Sequence, residues 1–149
     1  MCEKGNQKNV VTDRSRVPDK SISVNQPEDP TNPVTNIRED GFEATTTPEV
    51  GEKKPSVTIN LEKVPEPIEQ IVIGKNVKTA VIEVTKKDGT TEKRTLQVDE
   101  PIVIGKLSPA DQDVFKDAKS VKITPVAPTF PSDKTYKITV DITICERKY

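Results

Sequence analysis

The clearest pattern in the chain runs from Tyr136 to Ile144, where Tyr136, Ile138, Val140, Ile142 and Ile144 alternate with Lys137, Thr139, Asp141 and Thr143. A period of two sustained over this length predicts a β-strand with one face buried and the other toward water. Shorter alternations run through Val57, Ile59 and Leu61, through Ala80, Ile82 and Val84, through Leu96 and Val98, and through Val121 and Ile123. Ile68 to Gly74 and Ile102 to Gly105 are apolar runs closed by glycine, which read as strands buried on both sides or as strand ends. Ser21 to Asn25 and Asn36 to Glu39 are short strand candidates in a more polar setting.

The connections carry their own signals. Asp88-Gly89, between the strand ending at Thr85 and the one starting near Glu92, predicts a tight hairpin turn, because this pair tolerates positive φ. Ser108-Pro109-Ala110-Asp111 predicts one short helix reaching Lys116, with Ser108 as cap, Pro109 in the first turn and Asp111 at the positive end of the dipole. Phe115 would then plug one end of the core. Ile-Val-Ile-Gly-Lys occurs at both Ile71 to Lys75 and Ile102 to Lys106, but the flanks differ, so it reads as shared strand composition rather than a repeat.

The apolar composition agrees with the periodicity. There are 18 Val and 13 Ile against 3 Leu, 5 Ala and 1 Met, and 17 Thr add to the β-branched total. Such side chains lose rotamer freedom in a helix and pack well on a pleated surface, so the expected class is all-β, a sandwich of about eight strands. A length of 149 residues allows one domain. Residues 1–55, rich in Pro, Thr, Asn and acidic residues, form an extended segment that wraps the sandwich or is partly disordered, and residues 56–149 form the core.

Charge and missing residue types narrow the function. With 23 basic and 24 acidic side chains the net charge is -1, so no cationic surplus is available to neutralise a phosphate backbone, and nucleic acid is not an expected partner. No apolar stretch is long enough to span a bilayer. No leader peptide is recognisable, so a secretory leader is expected to have been removed. With 0 His, neither a Ser-His-Asp nor a Cys-His nucleophile arrangement can be built, nor any histidine-bearing metal site. Asp111 and Asp113 lack an accompanying nucleophile or oxyanion device, and their spacing in a helical turn points them apart. Lys53-Lys54 and Lys86-Lys87 read as solubility charges. The expectation is a non-enzymatic protein.

Cys2 and Cys145 leave three readings open. A disulfide between them would tie the chain's ends together, contributing on the order of 5 kcal/mol in the chain-entropy model, and implies an oxidising compartment. Free thiols would fit a cytosolic protein, and lipidation of Cys2 would fit a bacterial surface lipoprotein whose polar N-terminal segment serves as tether.

In order along the chain, several pieces resemble a discoidin-type domain, the galactose-binding-like module also found at the C-terminus of coagulation factors V and VIII. They are Cys2 followed by Gly5, Ser21-Ile22-Ser23, Ile37-Arg38 leading to Gly41-Phe42, Val57 to Leu61, Ile68 to Gly74, and Val81 to Val84 leading into Lys87-Asp88-Gly89. Ala118 to Pro125 and Tyr136 to Cys145 complete the series. The chain departs from the family in lacking tryptophan, in Asn60 where Asp is usual, and in Lys119 where Arg is common, so no ligand is inherited. The resemblance implies a jelly-roll β-sandwich, and remote kinship with modules of secreted adhesive or mucin-like glycoproteins. An immunoglobulin or fibronectin type III sandwich is the alternative, although its cysteines more often lie within facing strands.

In discoidin-type domains ligands meet loops at one end of the barrel, including the long loop after the first strand, here Gln26 to Val34 with Glu28 and Asp29. That loop lacks an exposed wedge for lipid, so direct membrane insertion is not expected. Its carboxylates would suit calcium, the one cofactor worth considering, or simply be solvated on a proline-stiffened turn. Arg38, Asp40 and Phe42, with Glu39, form a second candidate, where a guanidinium and a ring would grip a sugar or an acidic group; otherwise Phe42 belongs to the core. Thr45-Thr46-Thr47-Pro48 reads as an O-glycosylation patch or a plain polar loop. The functional expectation is an extracellular adhesion or interaction module that binds a carbohydrate or protein partner through loops, inside a larger parent chain. A structural spacer domain of a secreted matrix or lipid-anchored surface protein is the alternative.

Overall fold

The computed structural model describes residues 6–25, 42–45, 56–74, 76–127 and 135–145, with the side chains of Asn25, of 42–45 and of 135–137 left aside. The strands are β1 (Gln7–Asn9), β2 (Ile22–Asn25), β3 (Phe42–Thr45), β4 (Ser56–Asn60), β5 (Ile68–Gly74), β6 (Thr79–Lys86), β7 (Thr91–Gln97), β8 (Ile102–Val103), β9 (Ala118–Ala127) and β10 (Thr135–Cys145). Among the described residues one α-helix, α1 (Pro109–Val114), lies between β8 and β9.

These strands make two antiparallel sheets. The first runs β1-β10-β5-β8, with β3 also paired to β10; the second runs β2-β4-β9-β6-β7. The alternation read in the sequence is the alternation of burial: Ile138, Val140, Ile142 and Ile144 of β10 face Ile59, Ile82, Val84, Val121 and Ile123 of the other sheet's inner side, all buried in one cluster. The class and layered architecture are those expected, a jelly-roll β-sandwich with one short helix, not the seven-strand immunoglobulin arrangement. The described strands number ten rather than about eight. The unforeseen ones, β1 and β3, are short pieces that pair with the last and the first residues of β10 respectively.

Several local expectations hold in detail. Ser108 Oγ accepts from Asp111 N at 3.3 Å and caps α1, and Phe115 is buried just beyond it. At the β6–β7 hairpin Gly89 N–H donates to the Lys86 carbonyl at 2.9 Å and Lys86 N–H to the Thr90 carbonyl at 2.8 Å. Gly89 has φ of 92°, whereas Asp88 is not among the positive-φ residues, so this is a turn closed by one left-handed glycine. Asp88 instead accepts from the Thr90 hydroxyl at 2.6 Å and its amide at 2.9 Å, which hold its carboxyl below the usual range.

One boundary differs. Only Ile102–Val103 is strand, and Ile104–Lys106 forms a 3-10 turn. Ile71 and Ile102 are register partners in antiparallel strands, so the two Ile-Val-Ile-Gly-Lys copies start opposite each other and run in opposite directions. The N-terminal residues also enter the core: Val10, Val11 and Val17 are buried, although none sits in an alternating pattern. Asn9 fastens this stretch, its amide donating to Asp141 at 2.9 Å and its carbonyl oxygen accepting from Ile142 N at 3.3 Å.

Candidate functional site

Antiparallel pairing sorts the connections into two groups. Thr79 pairs with Gln97 and Ala127, Thr135 pairs with Thr45, and Thr139 pairs with Gly74, while Asn25 pairs with Ser56. The short links from Gly74 to Thr79 and from Gln97 to Ile102 join the two sheets on this side, so the strand ends Asn25, Thr45, Gly74, Gln97 and Ala127 all lie at one end of the sandwich. The β6–β7 hairpin, α1's exit, the start of β1 and the end of β10, with Gln7 opposite Cys145, lie at the other.

The residues singled out in the sequence distribute across both ends. The segment holding Glu28, Asp29, Arg38 and Asp40 leaves from Asn25 at the loop end, and these four residues lie outside the described residues. Phe42 opens β3 opposite Ile138, and Thr45 closes it opposite Thr135; the side chain of each, and all of Thr46 and Thr47, likewise lie outside. Asp88 and Gly89 are at the opposite end, in a structural turn. Cys145 ends β10 as the register partner of Gln7, and Cys2 lies outside the described residues. Asp111 and Asp113 are not brought together for chemistry: Asp111 accepts from Arg94 Nε at 3.1 Å and Asp113 pairs with Lys116 Nζ at 3.2 Å. Among the described residues no group of three acidic or cysteine side chains is placed to hold a metal ion.

Two concavities among the described residues were not foreseen. At the opposite end a small cleft of about 140 Å³ lies between the β4–β5 connection and the exit of α1, floored by Leu61, Val64 and Phe115 and edged by Glu66 and Lys87. Glu66 Oε2 accepts from Arg16 Nη1 at 2.8 Å, and its Oε1 is buried with no hydrogen-bond partner among the described residues. Arg16 also approaches Asp13 at 3.8 Å, so an ionic chain ties the N-terminal turn to the β4–β5 connection. Hydrogen bonds from the Ser15 hydroxyl and from Lys8, with the Ser15 amide, hold the Asp13 carboxyl well below the usual carboxylate range.

Bordering the loop end is a wider groove of about 740 Å³, between the edge strand β7 of one sheet and the edge strand β8 of the other. Leu96, Ile102, Val103 and Leu107 give it an apolar floor; Gln70, Gln97, Asp99, Glu100 and Lys106 supply the polar wall. The sequence carried a faint signal for it. Of the 3 leucines only Leu61 is buried in the core, while Leu96 and Leu107 remain half-exposed, and Asp99-Glu100-Pro101 interrupts the strand pattern between them.

No family model matches the chain, and no curated protein sequence matches it. Among solved structures, CpGH89CBM32-4, produced by Clostridium perfringens and solved in complex with GlcNAc-α-1,4-galactose, is 15% identical, with a TM-score of 0.52 over 95% of this chain and 96% of that one. CpGH89CBM32-6 from the same organism is 13% identical over 91% and 98% of the two chains, with a TM-score of 0.46. CpGH89CBM32-5, solved with GalNAc-β-1,3-galactose, is 13% identical over 85% and 97%, with a TM-score of 0.42. The first of these likenesses identifies the fold as the galactose-binding-like, discoidin-type jelly roll.

Proposed function

We propose that this chain is a non-enzymatic binding module that holds a carbohydrate partner with the loops at one end of its sandwich. The observation that carries the reading is the gathering of the strand ends Asn25, Thr45, Gly74, Gln97 and Ala127 at one end of a valine- and isoleucine-packed frame. Connections of variable sequence on a rigid scaffold can present donors and acceptors at fixed positions without disturbing the core. The shared fold with a module solved on a galactose-containing disaccharide is in keeping with this reading.

The reading extends to an extracellular setting, in which the pairing of Gln7 with Cys145 brings the chain near Cys2 and favours closure of the Cys2–Cys145 disulfide. Cys2 precedes Gln7 by five positions, a span of at most ~18 Å when extended, ample to turn back to the end of β10. Within this reading Glu28, Asp29, Arg38 and Asp40 are loop contacts, with calcium at the carboxylates an optional addition. A glycan array probed with the purified chain, with a partner pull-down beside it, tests the reading. Saturable retention by a defined glycan is the expected result; silence in both assays would leave a structural spacer as the better account.

A further inference from the structure

We infer that the groove between β7 and β8 seats one neutral sugar ring, its C–H face on Leu96, Val103 and Leu107 and its hydroxyls toward Gln97, Asp99, Glu100 and Lys106. The inference rests on the binding-module reading and assigns it a place. Three features of the groove converge on this occupant.

The first is the floor. Half-exposed Leu96 and Leu107 pack against the core on one side and leave apolar surface open on the other, in a recess of about 740 Å³. That volume is in the range of clefts that hold small molecules, roughly 300–1,000 Å³. An apolar strip of this kind suits the C–H face of a pyranose, which has no hydrogen bonds to lose.

The second is the wall. Gln70, Gln97, Asp99, Glu100 and Lys106 have no side-chain hydrogen bond or ion pair among the described residues. Close by, Arg94 is engaged with Asp111, and Lys86 with Glu92 and the Asp113 carbonyl. The unengaged set mixes two amides, which donate and accept, with two carboxylates that only accept and an ammonium that only donates. Hydroxyl groups both donate and accept, so a ring rimmed with them can satisfy every member. A sulfated or sialylated residue would face Asp99 and Glu100 as like charge.

The third is the frame. An extended peptide added to a sheet edge needs a strand long enough to template it. β8 offers only Ile102–Val103 before the chain turns into the 3-10 segment Ile104–Lys106, and of the longer edge strand β7 only Leu96 and Gln97 line the groove, so strand addition has no ladder to continue inside it. A compact ring makes no such demand.

The test uses an array of neutral oligosaccharides with sialylated and sulfated counterparts. The best-retained neutral glycan is then titrated into isotope-labelled protein. The expected outcome is shift changes at the methyls of Leu96, Val103 and Leu107, with affinity at least ~10-fold weaker in Asp99→Asn/Glu100→Gln and in Gln97→Ala. These three positions are exposed, so the variants are expected to melt with the parent chain. Acidic counterparts of the same glycan should bind at least ~10-fold more weakly. Shift changes confined to other residues, with variant affinities within twofold of the parent, would overturn the groove assignment while leaving the binding module standing. Failure of the parent chain to retain any glycan would sink both.

Discussion

Replacing Ile142 by Ala tests the sandwich at its most informative strand. Ile142 is fully buried, lies opposite Ile71 in register, and its carbonyl accepts from Val10 N at 2.9 Å, so its position reports on β1, β5 and β10 together. The substitution removes three carbons, about 0.8 kcal/mol each by transfer, and leaves a cavity in a close-packed interior. The transfer and cavity terms together give about 3–4 kcal/mol, inside the range of about 2–5 seen for such changes. Total stability for a domain of this kind is about 5–15 kcal/mol, and each kcal/mol moves the melting temperature by about 2–4 °C. A fall of roughly 10 °C is therefore expected, read by circular dichroism, with a matching shift in the urea midpoint. Thr143→Ala, one residue along on the outer face, is the control and should cost less than about 1 kcal/mol, because it empties no cavity. Equal losses at the two positions, or an unmoved melt in Ile142→Ala, would mean that β10 does not present its even-numbered residues to the core. A slip of one residue would exchange the faces in just this way.

Other outcomes follow from the geometry. A Cβ on Gly74 would stand 2.7 Å from Thr139 Oγ1, so Gly74→Ala should lose about 1–3 kcal/mol and the double variant with Thr139→Ala should regain most of it in the same thermal assay. Because Asp13 titrates below its ordinary value of 3.8 in the folded protein, the stability it confers is present above that value and is lost as pH falls below it. Asp13→Asn should therefore flatten the dependence of the urea midpoint on pH below about 4, and an unchanged slope would remove Asp13 from the acid response. If Cys2 and Cys145 are joined, reductant should lower stability by on the order of 5 kcal/mol, and peptide mapping without reductant should yield the linked pair; two titratable thiols in protein purified without reductant would contradict it.

Much of the frame was legible because its forces are local and repetitive. The alternation through Ile138, Val140, Ile142 and Ile144 has one stable use, a strand with one side turned inward, and Ser108-Pro109 and Asp88-Gly89 are punctuation whose chemistry operates over a few residues. β1 escaped notice because Gln7, Lys8 and Asn9 are held by pairing to β10 and not by any pattern of their own. Val10, Val11 and Val17 were equally hidden: their burial depends on what the distant C-terminal strand places beside them.

The candidate site divides along the same line. Sequence marked Glu28, Asp29, Arg38, Asp40 and Phe42 through resemblance and residue type, without showing what surrounds them. The groove left only a faint trace there, since Gln70 and Val103 meet only through the β5–β8 register, and Leu96 and Leu107 come from opposite sides of the Asp99-Glu100-Pro101 interruption in the strand pattern. By itself the sequence determined that β-branched side chains would stack in two sheets, because period and rotamer stiffness are properties of the chain. Which edges would lie side by side, and hence which polar groups share a wall, belonged to the tertiary structure, because strand order is fixed by packing over the whole domain and not by any one segment.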